Sequence, residues 1–499
     1  MNSPVIAVVG TTGVGKSKLA VELALSVKSS AADHSSRGFT WKDSRVLNAD
    51  AMQIYRGLDV ITNKMPVEEQ CGVDHLLMSI RNAGEDYVVG EWVHDASDLI
   101  KECHEHDTIP IVAGGTHYWI QHLLFPERLA SDPQFRSIIR SDETGESPEL
   151  ARSLLTLPGH LKSLYEHLPH RESIASISEE DSYNLHDLLH RIDPIMSQRW
   201  HWKDSRKVLR SLEIIKENGR LASQVMRDQD TTESLPRYRT LIFWIYAEPS
   251  LLDPRLDGRV DQMIKSGLVR ELHSLKAVAS TSRASEIPTQ GIFQSIGYKE
   301  FSAYLNDAPD TFIPDPSSSV SPSFLEGVAQ MKLATRQYAR RQVRWIRNRL
   351  IPAVASPSRG NRAWIYLLDA NELGETWELN VRDKAVSIMN QFLANQDDDM
   401  PDPLSLSKQA AELLQPPKSS SLPSELLSAR RKRICEICTK NPTRPIMIEE
   451  GKEWRMHVKS RAHRGRVRRE QHLATIRQLR EEAAERARLK AAEASGGTT

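Results

Sequence analysis

Val5-Ile6-Ala7-Val8-Val9-Gly10-Thr11-Thr12-Gly13-Val14-Gly15-Lys16-Ser17-Lys18-Leu19-Ala20 is an apolar strand that runs into a glycine-rich loop and then into a helix. The three glycines let the backbone turn tightly, so that successive N–H groups point inward at phosphate oxygens, and the helix start adds partial positive charge. Lys16 is placed to neutralise a terminal phosphate, and the Ser17 hydroxyl to ligate Mg2+. The strand before the loop and the helix after it supply the context that separates a phosphate cradle from a chance glycine turn. The loop alone leaves open whether the phosphates belong to a nucleotide or to another diphosphate.

Working outward, further strand-like runs occur at Val46–Ala49, Ile109–Ala113 and Leu241–Ala247, separated by helical segments. This alternation predicts an α/β protein with a parallel sheet covered on both faces. Residues 1–125 are expected to form the first part of the catalytic core. From 126 to 201 strand signals vanish, which predicts a helical insertion. Residues 202–352 are expected to complete the core, with long amphipathic helices from Val260 to Leu275 and from Ala329 to Leu350, and a loop at 314–319. A variable segment and linker is expected over 353–429, because Gln396–Ser424 is rich in Asp, Pro and Ser and offers little to bury. Residues 470–499 are expected to be a charged tail, with a solvated helix from Glu470 to Ala494.

The chain has 499 residues and zero formal net charge. The balance conceals a basic region: between Arg430 and Arg469 there are fourteen Lys or Arg against four Asp or Glu. Such an end should meet a polyanion. No run of about 18 apolar residues exists, so no membrane partner is expected. With the phosphate loop starting at residue 10, no signal peptide is expected either, and a cytosolic protein is the reading, with nuclear and mitochondrial pools left open. Four cysteines in so long a chain do not make a disulfide framework.

Two stretches place chemistry at the rim of the expected sheet. Asp50, in Asn48-Ala49-Asp50-Ala51-Met52-Gln53, follows the second strand, where open α/β sheets bind ligands. A carboxylate there can hold Mg2+ or accept a proton. Gly114-Gly115-Thr116 follows the third strand-like run and brings a hydroxyl to the same edge, although strand-end Asp and Thr also cap turns. Cys103-His104-Glu105-His106 has metal-like residue types, but reads as a polar turn at a helix end.

Taken in order, several stretches resemble the tRNA dimethylallyltransferases (tRNA isopentenyltransferases). They are the phosphate loop, Asp50-Ala51-Met52-Gln53-Ile54-Tyr55-Arg56-Gly57-Leu58-Asp59 with Thr62-Asn63-Lys64, Gly114-Gly115-Thr116, Gln294-Ser295-Ile296-Gly297-Tyr298-Lys299-Glu300, and Ala334–Gln342 with Trp345. The resemblance covers about 350 residues. It implies a P-loop NTPase-like core and transfer of a dimethylallyl group from dimethylallyl pyrophosphate to N6 of adenosine-37 in tRNA. It implies that Gly10, Thr11, Thr12, Gly13, Val14, Gly15, Lys16 and Ser17 cradle the departing pyrophosphate. Asp50 is then the general base, Thr116 the hydroxyl that contacts the target nucleotide or the leaving group, and Arg259 an arginine that reaches the pyrophosphate. Contacts to tRNA are implied for Asp50, Ala51, Met52 and Gln53, for Arg206, Lys207, Val208, Leu209 and Arg210, and for Gln294, Ser295, Ile296, Gly297, Tyr298 and Lys299. The arginines between Arg336 and Arg349 would add charge. Two departures stand out: Ala51 replaces the usual Ser, which would weaken one hydrogen bond to tRNA, and His117-Tyr118-Trp119 replaces a small residue and Leu-Tyr, which would alter stacking of the target base.

The C-terminal region carries its own signal. Cys435-Glu436-Ile437-Cys438 is followed after 18 residues by His457 and after five more by His463. This Cys2His2 spacing can close a tetrahedral Zn2+ site, with His457, His463 and the core residue Trp454 expected on one helix. The long Cys-to-His interval resembles the matrin or U1-type finger associated with RNA. The module is expected over 430–469, with Arg430-Arg431-Lys432-Arg433 and Arg464-Gly465-Arg466-Val467-Arg468-Arg469 meeting tRNA phosphates. Two other activities remain compatible with the loop: prenyl transfer to free adenine nucleotides, and phosphoryl transfer by a small-molecule kinase. A monomer is expected.

Overall fold

In the computed structural model the described residues are 3–30, 40–125, 146–231, 236–281, 291–307, 321–355, 363–416 and 431–495. The parts of the insertion at 126–145 and of the loop at 314–319 therefore lie outside them. The chain divides into two units, one of residues 1–141 and 231–420, the other of residues 142–230 and 421–499.

The first unit is built on a six-stranded parallel sheet. Its strands are β1 (Pro4–Gly10), β2 (Asp43–Asn48), β3 (His75–Leu76), β4 (Thr108–Ala113), β5 (Arg239–Tyr246) and β6 (Ala363–Asp369). Their order is β3-β2-β4-β1-β5-β6. β1 is central, with Ile6 level with Ile111 on one side and with Leu241 on the other. All seven of its residues are buried, as a continuous apolar strand covered on both faces must be. Alternate side chains serve opposite faces: Val5, Ala7 and Val9 join one core with Trp92, Ala96 and Ile100, whereas Ile6 and Val8 join the other with Leu19, Leu23 and Val27. Each fully buried aliphatic side chain contributes about 1.5–3 kcal/mol. The alternation therefore fixes the register as well as the layers.

The sequence expectation holds for β1, β2, β4 and β5 and fails beyond residue 352. Ala363-Trp364-Ile365-Tyr366-Leu367-Leu368-Asp369 is the edge strand, paired to β5. The polar stretch expected as linker is packed as far as it is described. Arg239 is buried against the rings of Trp364 and Phe392, donates to Phe392 O at 2.8 Å and pairs with Asp397. Tyr366 donates to Pro401 O at 2.8 Å, and Leu413 and Leu414 are buried. Few apolar residues are needed where a strand edge and a buried arginine supply the partners.

The second unit is helical. Helices Pro148–Leu155, Gly159–Glu166, Glu179–Ile192 and Ser205–Asn218 close around Leu150, Leu161, Leu185, Leu189, Leu212 and Ile215. The insertion thus runs past residue 201. In the same unit the antiparallel hairpin of β7 (Lys432–Ile434) and β8 (Met447–Glu449) precedes helices Lys452–Lys459 and Arg461–Ser495. Trp202 Nε1 donates to Pro445 O at 2.9 Å, and Glu179 pairs with both Lys203 (2.8 Å) and Arg444 (3.1 Å). The hairpin is therefore fastened to the insertion helices. Among the described residues no helix is long and apolar enough to cross a membrane.

Candidate active site and metal centre

The C-terminal ends of β1, β2 and β4 meet at one rim. Gly10, Gly13 and Gly15 have φ of 148°, 82° and 93°, a region only glycine enters freely. A methyl group on Gly10 would stand 2.4 Å from Ile245 O, and one on Gly13 2.7 Å from Leu256 Cδ2. The loop between them exposes Thr12, Gly13, Gly15, Lys16 and Ser17 to a cavity of about 830 Å³. Gly10, Thr11 and Val14 shape the cradle from behind: Thr11 and Val14 are buried, and Val14 packs in the core.

Lys16 is partly buried and donates to Thr11 O at 2.7 Å. Burial pushes its pKa down to about 8; Asp50 nearby opposes this and Arg259 reinforces it. Burial likewise lowers Arg259 to about 10, again opposed by Asp50. Two cations and one carboxylate thus face one another in a poorly solvated cavity. An arriving diphosphate would relieve the repulsion between the cations. Among the described residues Arg259 has no ion-pair partner within 4.0 Å, whereas its helix neighbours are engaged: Asp257 with Arg336, Asp253 with Arg340 (2.7 Å) and Asp261 with Lys332 (2.7 Å).

Asp50 sits on a turn that its own Oδ1 helps to build by accepting the Met52 N–H at 2.9 Å. Thr116 Oγ1 accepts the Ala51 N–H at 3.0 Å, and Thr116 N donates to Ala49 O at 3.0 Å. The two rim loops are stitched together in this way. Gly114 is obligatory because a methyl there would lie 2.2 Å from Ala49 O.

A second cavity of about 510 Å³ shares Thr12, Asp50, Arg259 and Tyr338 with the first. Its other walls include Ala51, Met52, Thr116, Gln294, Ser295, Ile296, Lys299 and Arg341. Burial and Asp50 raise the Tyr338 pKa, which keeps the phenol neutral. Of the remaining site candidates, Gln53 lines the first cavity and donates to the carbonyls of Thr62 and Asn63. Gly297, with φ of 116°, lies against Met331, and Tyr298 packs on Phe293.

Several expectations need correction. Val208 and Leu209 are core residues of the helical unit, so their side chains are turned away from any ligand; Arg206 and Lys207 are exposed, and Arg210 is paired with Glu213 and Glu217. In the basic run, Arg336 and Arg340 are committed to aspartates, and Arg341 faces the second cavity. His117-Tyr118-Trp119 does not line that cavity. Trp119 stacks on Trp92 at 5.1 Å, and buried His117 lies under the phosphate loop. Burial, reinforced by the Lys16 charge, pushes His117 down to about 3, and its Nε2 lies 3.2 Å from Gly10 N and 3.1 Å from Gly10 O, so the ring bonds to the backbone of the phosphate loop. Gln342, Lys64 and Trp377 are site-forming residues to which sequence reasoning gave no role. Lys64 donates to Asp59 and Ser79 below the rim, and Trp377 lies 3.1 Å from where a Gly15 methyl would be.

In the second unit Cys435, Cys438, His457 and His463 bring their ligand atoms within 4.8 Å of one another. His463 Nδ1 is 3.5 Å from both sulfurs, and His457 Nε2 is buried without a hydrogen-bond partner. Two thiols and two imidazoles at this separation fit a tetrahedral Zn2+. The histidines lie on two helices, because Ser460 (ψ 150°) breaks the helix between them. Cys103-His104-Glu105-His106 forms no such cluster: Cys103 is buried, and His104 bonds to Pro4 O.

These features define an α/β enzyme of diphosphate chemistry, with a carboxylate and a hydroxyl at the rim of its anion cradle. A family model described as IPP transferase matches residues 53–349. The chain is 36% identical over 485 residues to a tRNA dimethylallyltransferase of Schizosaccharomyces pombe, covering 96% of this chain and 98% of the relative. Against a tRNA dimethylallyltransferase of Homo sapiens it is 29% identical over 483 residues, covering 94% and 87%. A solved chain from crystallographic snapshots of a eukaryotic dimethylallyltransferase acting on tRNA superposes with a TM-score of 0.65 at 27% identity, covering 96% of this chain and 100% of that one. The chain belongs to the IPP transferase family.

Proposed function

We propose that this protein transfers a dimethylallyl group from dimethylallyl diphosphate to N6 of adenosine-37 in tRNA and releases diphosphate. The observation that carries the reading is the pair of adjoining cavities whose common wall includes Thr12, Asp50, Arg259 and Tyr338. The phosphate loop serves the donor on one side, and Thr116 with the 294–299 segment serves the acceptor on the other. In the reaction the allylic C–O bond breaks and its electron pair leaves with the diphosphate. The N6 lone pair forms the new C–N bond, and Asp50 takes the N6 proton and passes it to solvent. Preorganised N–H groups, Lys16 and Arg259 face the charge that develops on the leaving group. The exocyclic amine is a weak nucleophile, and a carboxylate within reach both orients it and removes its proton.

Ser17, in the cavity wall, would be the residue to hold a Mg2+ ion, which would supply further positive charge beside the departing group. Zn2+ held by Cys435, Cys438, His457 and His463 would be structural. The basic residues around it suit phosphate contacts, and the target base must leave its stack to be reached.

Incubation of the purified protein with dimethylallyl diphosphate, tRNA and AMP together tests the reading. We expect prenylated tRNA, unmodified AMP, and a loss of about 10²–10⁴-fold in Asp50→Ala. In cells lacking the protein, N6-isopentenyladenosine should vanish from tRNA and return with the wild type but not with Asp50→Ala. Preference for AMP, or cleavage of ATP at its terminal phosphate without use of the allylic donor, would overturn it.

A further inference from the structure

We infer that Gln342 is a positioning residue that locks the diphosphate cradle to the acceptor rim, an inference that rests on the transfer reaction proposed above. Its side chain is 4% exposed and reaches from the helix Pro322–Trp345 into the wall of the first cavity. Oε1 accepts the Thr12 N–H at 2.9 Å, and Nε2 donates to Gly115 O at 3.0 Å. One planar amide thus joins the loop after β1 to the loop after β4.

Three details make the joint specific. The partners are an N–H on one side and a carbonyl on the other, so a group with one acceptor and one donor is required; a carboxylate, a hydrocarbon or a cation satisfies one of them at most. The residue facing the amide must be glycine, since a methyl on Gly115 would lie 2.7 Å from Nε2 and 3.3 Å from Asp50 Oδ2. The helix that carries Gln342 is itself held to the helix Pro249–Lys265, which bears Arg259, by the pairs Lys332–Asp261 and Arg340–Asp253. Through Gln342 the phosphate loop, the Gly115-Thr116 turn and the Arg259 helix become one assembly. Thr12 lines both cavities, so the tether sits where donor and acceptor must meet.

Gln342 bonds to the loop backbone and not to a reacting atom. Its effect is to hold the allylic carbon, fixed by the diphosphate, in line with an amine fixed at the Asp50–Thr116 rim. Near-attack geometry of this kind is sensitive: a misplacement of about 1 Å can cost about 10²-fold in rate. The test is steady-state kinetics of full-length Gln342→Met, which keeps side-chain length and removes both hydrogen bonds. We expect kcat for tRNA prenylation to fall about 100-fold while KM for the diphosphate and for tRNA stays at the wild-type level, with a larger share of the donor lost to water as free allylic alcohol. A merely structural role would lower the amount of active enzyme without changing that partition. Should Gln342→Met fail to fold, Gln342→Asn, which keeps the amide but falls one methylene short, carries the same measurement. Wild-type kcat, or a fall in kcat with an unchanged ratio of alcohol to prenylated tRNA, would overturn the inference. Failure of the wild type itself to prenylate tRNA would instead remove the proposed function.

Discussion

The charge state of Lys16 offers a quantitative handle on the cradle. Its ordinary pKa of 10.5 is brought to about 8 by burial, with Arg259 acting in the same direction and Asp50 against it. At about 1.36 kcal/mol per pH unit, keeping the proton on the buried amine costs on the order of 3 kcal/mol. The diphosphate needs the protonated form, so binding strength is present below pH about 8 and lost above it. With that pKa the amine is roughly 90% charged at pH ~7 and roughly 10% charged at pH ~9, and kcat/KM for the allylic diphosphate, which reports the free enzyme, should fall about tenfold between them. Once diphosphate is bound, its charge holds the proton on, and the same limb in kcat should move to higher pH. Lys16→Arg, whose guanidinium stays charged, should lose the limb. For folding the sign is opposite: the unfolded chain holds this proton more tightly, so below pH 8 the buried charge destabilises the native state. Lys16→Met should therefore raise the melting temperature while abolishing transfer. Initial rates across this pH range with saturating tRNA, beside thermal melts, make the check. A flat kcat/KM profile in the wild type, or an identical limb in Lys16→Arg, would refute the reasoning.

Two further expectations concern parts distant in sequence from the phosphate loop. Cys435→Ser removes one of four clustered ligands, so metal analysis should show loss of the bound zinc; the β7–β8 hairpin should lose protection in hydrogen exchange, and tRNA affinity should fall with a shallower salt dependence, while diphosphate binding stays intact. Trp377→Ala removes the wall behind Gly15 and the ring beneath the Lys18 ammonium, 4.1 Å away. It should cost about 3–5 kcal/mol in urea unfolding and raise KM for the diphosphate more than KM for tRNA; equal changes in both would show that Trp377 does not shape the loop.

What could be read from the sequence follows the range over which each feature is determined. The strand, loop and helix around residues 5–20 are a local pattern, and Asp50 and Thr116 announce themselves by following apolar runs. β3 has two residues, too few for any periodicity. β6 is a clear apolar run, yet Asp- and Pro-rich sequence follows it, and its place is set by pairing with β5 more than a hundred positions earlier. The Arg206–Arg210 stretch shows the opposite error. There Val208, Leu209, Leu212 and Ile215 repeat at helical spacing, and that stripe already separates the buried residues from Arg206 and Lys207. Gln342 falls within a stretch that resembles the family and His117 within a departure from it, but neither shows its role in the sequence, because a glutamine or a histidine acquires one only from the N–H or carbonyl that the fold sets before it. The groups that perform chemistry here lie at strand ends, where short motifs fix them. The groups that aim them come from helices and from the C-terminal segment, whose sequence specifies only that a buried face exists. Substitutions at Asp50 should accordingly stop the reaction, whereas those at Gln342 should change how faithfully an activated allylic group reaches its amine.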